Sequence, residues 1–107
     1  MTFHGVDTAK QFKHMRELVP DAFRAFLDFN GKAFADGALP AKTKELMALA
    51  IAQITQCPWC IDAHSKNSIK AGASDAEIAE SIFVAMALRA GGSWAHSCIA
   101  MESLEKA

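Results

Sequence analysis

Apolar residues recur along this chain at three- and four-residue steps, the spacing of one face of a helix. Phe12, Met15 and Val19 mark a first helix over about Thr8 to Leu18. Pro20 opens a second, near Asp21 to Phe34, with Phe23, Phe26, Leu27 and Phe34 as its main apolar stripe and Phe29 off that stripe. A stripe of this kind predicts core packing. Asp36-Gly37-Ala38-Leu39-Pro40 reads as a turn. A third helix, from about Pro40 to Thr55, is apolar nearly all round through Leu46, Met47, Leu49, Ala50, Ile51 and Ile54, which predicts burial. Glu45 stands in line with Leu49 and Ala52 on a face that should be buried.

Gln56-Cys57-Pro58 breaks the third helix and starts a fourth, since proline is well suited to the first helical position. That helix runs from about Pro58 to Ala71 and stops at Gly72. Ser74 and Glu77 have capping-box spacing. A fifth helix runs from there to about Ala90, Gly91-Gly92 interrupts it, and a last helix covers roughly Ser93 to Leu104. Strand signals are nearly absent, with no tyrosine and few β-branched residues. The predicted fold is an all-α bundle of about six helices.

A length of 107 residues predicts a single domain, 1–107. Hydrophobic residues make up 51% of the chain, more than so small a domain can bury, so some apolar surface is expected to face another copy. The net charge is -1 with no basic patch, which argues against nucleic acid as a partner. The apolar runs Met47–Ile51 and Ile82–Leu88 fall well short of the roughly 20 residues of a membrane span. Met1–Lys10 carries no apolar signal-peptide core, and the cytosol is the expected location.

The segment Cys57-Pro58-Trp59-Cys60-Ile61-Asp62-Ala63-His64 carries the candidate chemistry. Helical spacing puts Cys57, Cys60 and His64 on one face with Ile61 and Ser68, and Asp62, Lys66 and Lys70 on the opposite, solvated side. In a reducing cytosol such a cysteine pair is catalytic or metal-binding more often than structural. Nucleophilic thiol chemistry needs a thiolate, and an ordinary cysteine is only a few per cent ionised at neutral pH. A helix N-terminus contributes about 0.3–1 kcal/mol toward one, up to ~2 in good geometry. His64 can supply the rest, as a cation beside the thiolate or as a base taking its proton. Glu45 could hold the imidazole or pass protons from the preceding helix. Helix-end electrostatics alone favour Cys57, nearer the helix start, as the reactive thiol. A thiolate attacking a peroxide becomes a sulfenic acid that the second thiol condenses to a disulfide; direct thiol–disulfide exchange is the alternative. The pair could also be two packed, inert cysteines, or half of a zinc site with His64 and Glu45 or His96. Cys98 reads as core filling. His4 and His14 read as solvated surface, and His96 as structural or as a pocket lining.

Leu39-Pro40-Ala41-Lys42-Thr43-Lys44-Glu45, followed by Cys57 through His64, resembles the AhpD-like alkylhydroperoxidase core of the carboxymuconolactone decarboxylase superfamily. Its pattern is a glutamate, a cysteine twelve positions on, a second cysteine three further and a histidine four beyond, matched by Glu45, Cys57, Cys60 and His64. Ala90 to His96 resembles the family's glycine break before its final helix, and the likeness covers roughly Pro20 to Leu104. The resemblance implies an AhpD-like helical fold assembled as a homotrimer or homohexamer. It implies Cys60 as the peroxidatic cysteine, Cys57 as the resolving one, and Glu45 and His64 as a proton relay. It further implies a small hydroperoxide substrate, no cofactor, and a lipoylated or thioredoxin-like protein as reductant. Some family peroxidases carry a histidine where Trp59 stands; Trp59 is a donor only and reads as a wall of an apolar pocket.

The leading expectation is a thiol peroxidase with a CxxC dithiol/disulfide cycle. The alternatives are a general disulfide oxidoreductase, a decarboxylase of the same superfamily, and a non-enzymatic redox-sensing or metal-binding module. The decarboxylase branch does not generally depend on a cysteine pair.

Overall fold

The computed structural model describes residues 4–107. Five helices follow one another: α1 (Thr8–Leu18), α2 (Pro20–Phe34), α3 (Ala41–Thr55), α4 (Pro58–Lys70) and α5 (Asp75–Glu105). The all-α expectation holds, with every helix start within a residue of its sequence-based position.

Local chemistry explains the boundaries. Asp7 caps α1 by accepting the Lys10 N–H at 3.2 Å. Val19 ends α1 and precedes Pro20, the first residue of α2, where a missing N–H costs nothing. Asp36 Oδ1 accepts the Ala41 N–H at 2.6 Å and satisfies a donor at the start of α3. Ser74 and Glu77 form a complete capping box at α5. The end of α4 is a Schellman motif. Ala73 N–H reaches the Ser68 carbonyl at 2.9 Å, Gly72 N–H reaches that of Ile69 at 3.0 Å, and Gly72 has φ +94°. A Cβ at Gly72 would meet no atom within 4 Å, so the constraint is conformational rather than steric. Gly72→Ala is accordingly expected to destabilise the protein by about 1 kcal/mol, the left-handed penalty less the entropy removed from the unfolded chain. Thermal unfolding at fixed protein concentration would read this as a fall of roughly 4–8 °C.

One expected helix boundary is absent. Gly91 and Gly92 do not interrupt the chain, and α5 runs unbroken from Asp75 to Glu105. Two interior glycines cost about 2 kcal/mol in propensity. They become a helix end only with a left-handed residue or a proline to divert the chain, and neither glycine has a positive φ. Continuation needs no new nucleus, whereas a separate twelve-residue helix would.

The described chain divides into two compact units after Lys44, within α3. In the first, the Arg16 guanidinium lies over the Phe23 ring, 5.6 Å from its centroid, and Phe23 stacks obliquely on Phe26. Lys44 Nζ donates to the Ala35 carbonyl at 2.6 Å and ties down the loop that leads into α3. In the second unit, Leu49, Ala52, Ala85 and Ser68 form the buried interior, with Leu49 and Ser68 fully buried. No helix among the described residues is long and apolar enough to cross a membrane.

Burial is thinner than the apolar stripes predict. Phe26, Leu27 and Phe29 of α2 are exposed, as are Met47 and Ile51 of α3. Cys98, expected as core filling, is also exposed.

Candidate functional site

The second unit assembles the residues that the sequence singled out. The turn from α3 into α4 is made by Gln56, a non-glycine residue with φ +57°. The Cys57 N–H returns to the Ala52 carbonyl at 3.3 Å and closes the end of α3 across that turn. Cys57 thereby becomes the N-cap of α4, and its sulfur accepts the Cys60 N–H at 3.3 Å. Cys57 and Cys60 are joined as a disulfide, with Cα atoms 5.3 Å apart. Both cysteines are half-buried, as is Trp59 between them.

His64 follows Cys60 by one turn of α4, which makes the two side chains neighbours on the helix surface. Its Nδ1 pairs with Glu45 Oε2 at 2.6 Å, from α3. The pair is shielded but not sealed, with side-chain exposures of 22% for His64 and 14% for Glu45. A short, partly desolvated carboxylate–imidazole contact fixes ring orientation more firmly than an exposed ion pair would. Glu45 shares its face with the buried Leu49 and Ala52, as the helical spacing required.

Ser68, on the same face of α4 and fully buried, donates to the His64 carbonyl at 2.6 Å. On the opposite side, which the spacing marked as the solvated one, Asp62 and Lys66 pair at 3.0 Å. Cys98 lies on α5, a helix distinct from that of the pair. Among the described residues no group of three or more His, Cys, Asp or Glu side chains is placed to hold a metal ion.

Three features were not anticipated. Cys57 is a sulfur cap as well as a thiol. Gln56 adopts a left-handed conformation, a role usually given to glycine. Arg89 of α5 donates from its guanidinium to the Ile54 carbonyl at 2.9 Å, near the end of α3. The signal for Arg89 was present as a lone charge in an otherwise apolar run, Ile82 to Leu88 and beyond.

Residues 20–103 match the model of the carboxymuconolactone decarboxylase family. The chain belongs to that family. Among its curated relatives, an uncharacterised protein of the cox locus of Paracoccus denitrificans is 46% identical over 82 residues, 77% of this chain and 74% of the relative. An alkyl hydroperoxide reductase of Mycobacterium tuberculosis is 44% identical over 39 residues, 36% of this chain but only 11% of that protein. A carboxymuconolactone decarboxylase family protein from Legionella pneumophila superposes with a TM-score of 0.74 at 35% identity, covering 94% of this chain and 89% of its own. A protein from Methanobacterium thermoautotrophicum gives 0.75 at 26% identity, covering 79% and 96%. These neighbours establish for this family member the AhpD-like all-α fold that the Glu45–Cys57–Cys60–His64 spacing suggested.

Proposed function

We propose that this family member is a thiol peroxidase that reduces small hydroperoxides through a Cys57–Cys60 dithiol/disulfide cycle. The observation that carries the reading is the 2.6 Å Glu45–His64 contact, made on the helix that bears the joined cysteines. The partial likeness to an alkyl hydroperoxide reductase supports the same chemistry.

In the reduced protein, His64 takes the proton of Cys60. Its Nδ1 is held by Glu45, so this proton passes through Nε2, the other ring nitrogen. The Cys60 thiolate attacks one peroxide oxygen, the O–O bond breaks, and the alkoxide leaves as an alcohol with the proton from His64. Cys60 is then a sulfenic acid. Cys57 attacks its sulfur, water leaves, and the disulfide forms. A dithiol reductant, proposed to be a lipoylated or thioredoxin-like protein, returns two electrons and two protons. No cofactor is required.

Glu45 acts through His64. Glu45→Gln keeps the side chain's size and removes its charge. It is expected to slow peroxide-driven disulfide formation by roughly 10²-fold, within the usual span of acid–base assistance. Single-turnover stopped-flow fluorescence of Trp59 would measure it. An unchanged rate would remove Glu45 from the relay.

The direct test starts from fully reduced protein and one equivalent of cumene hydroperoxide, followed by intact mass. Rapid loss of two hydrogens, absent in Cys57→Ser and Cys60→Ser, supports the peroxidase reading. No loss, or slow oxidation shared with Cys98, refutes it. A second reading, general disulfide exchange, is favoured by the Cys60 N–H donated to the Cys57 sulfur, because such a donor stabilises negative charge there. Reduction of a mixed disulfide faster than of hydroperoxide would select it. Decarboxylation of a muconolactone-type acid by a Cys57→Ser/Cys60→Ser double variant would select the activity in the family's name instead.

The working form is proposed to be a homotrimer or homohexamer in the cytosol. The support is the uncovered apolar surface, which includes Phe83, Val84, Trp94, Ile99 and Met101 on α5 alone.

A further inference from the structure

Residues 82–101 of α5 are apolar or small except for Arg89, Ser93, His96 and Ser97. Arg89, Ser93 and Ser97 follow one another in steps of four, and His96 stands three on from Ser93, so all four share one side of the helix. The stripe lines an open groove of about 720 Å³, with Leu88 and Gly92 on α5 and Ile54 across from them on α3. A volume of that size suits a small organic molecule.

Three of the four polar groups can donate into the groove. Arg89 gives one N–H to the Ile54 carbonyl, which holds the guanidinium at the groove wall and leaves its other N–H groups for a ligand. Ser93 adds a hydroxyl and His96 a ring N–H one turn further on. Ser97 gives its own hydroxyl proton to the Trp94 carbonyl and so offers an oxygen. Gly92 has no side chain in the floor, and a Cβ there would meet nothing within 4 Å, so the groove is open at that point. Ile54 and Leu88 supply the apolar contact. No acidic side chain lines the groove to oppose an anion. None of its residues is Glu45, Cys57, Cys60 or His64, so the peroxidase cycle leaves the groove unexplained.

We propose that this groove binds a small organic carboxylate, its charged end on Arg89, Ser93 and His96 and its apolar body along Ile54 and Leu88. The proposal is independent of the peroxidase reading and stands or falls on binding alone.

Calorimetry on the full chain with 4-phenylbutyrate tests it, with 4-phenylbutanol as the uncharged analogue and inorganic phosphate as the bare anion. Saturable binding is expected at one site per chain, with the alcohol and phosphate each weaker by about tenfold or more. Arg89→Gln can still donate to the Ile54 carbonyl but carries no charge, and is expected to weaken the carboxylate about tenfold. Ser93→Ala and His96→Phe, which leave that bond untouched, should each weaken it several-fold and decide the matter if Arg89→Gln unfolds. Cys60→Ser should bind as the parent does. No saturation overturns the proposal. So does equal affinity for the alcohol or for phosphate, or unchanged affinity in the Ser93 and His96 variants.

Discussion

Cys60→Ser is expected to abolish hydroperoxide turnover, with kcat/KM falling by at least about 10³-fold, because a serine hydroxyl is not ionised at neutral pH and carries no redox-active sulfur. Cys57→Ser is expected to behave differently. It retains the attacking thiol beside His64 but loses the resolving one, so a single turnover should stop at a sulfenic acid on Cys60. Dimedone labelling followed by peptide mass spectrometry reads this directly. The structure makes the comparison sharp, because the two sulfurs are favoured by different neighbours. Cys57 caps α4 and accepts the Cys60 N–H at 3.3 Å. Cys60 has His64 one turn along the same helix, and His64 is held by Glu45 at 2.6 Å. A helix-end donor is worth about 1 kcal/mol, up to ~2, to a thiolate. A histidine that accepts the proton and returns it to the leaving alkoxide assists two steps rather than one, typically by 10²–10⁴-fold. On the proposed mechanism the proton relay therefore outweighs the helix end, and Cys60 is the nucleophile we propose. Dimedone on Cys57 in Cys60→Ser, with fast peroxide consumption, would reverse the assignment.

The second large effect is expected in assembly. The chain is 11.5 kDa, and native mass measurement at micromolar concentration should return three or six times that value. Trp94, at 81% exposed, has the most to gain from a second copy among the large apolar side chains of α5. Burying a tryptophan removes about 150–250 Å² from water. At about 25 cal/mol per Å² that is roughly 4–6 kcal/mol for each copy of the contact. Trp94→Glu forfeits this and places a charge in the interface. It is expected to weaken assembly by three or more orders of magnitude, giving smaller species in sedimentation velocity. Arg89→Gln, on the polar stripe of the same helix, should leave the mass unchanged. A parent protein that sediments as a monomer at micromolar concentration would refute the assembly and leave its apolar surface unexplained.

Much of the candidate site was legible because it lies within one helix. Residues three and four apart on α4 must share a face once the segment is helical, so Cys57, Cys60, His64 and Ser68 were grouped from spacing alone. Pro58 marked where that helix begins, and Ser74 with Glu77 marked the next. Glu45 stood out as a charge on an apolar face. Its contact with His64, nineteen residues away, was not deducible from periodicity. That contact depends on the direction α4 takes after Gln56 turns left-handed, and nothing in a glutamine announces such a turn.

The glycine pair shows the same division from the other side. Gly91-Gly92 has the composition of a break, yet helix cooperativity carries α5 through it, because no capping geometry diverts the chain there. Apolar stripes likewise say which faces avoid water, not what covers them. The Phe26 and Phe29 faces of α2 and most of α5 are left open by the chain itself. The sequence by itself determined the helices, most of their ends, and the face that presents the two thiols and the imidazole. These follow from rules acting over three or four residues. Tertiary structure decided that Glu45 meets His64, that Arg89 meets the Ile54 carbonyl, and that among the described residues the buried apolar core is Leu49, Ala52 and Ala85. Those outcomes depend on how separate helices are brought together, and no local pattern encodes that distance.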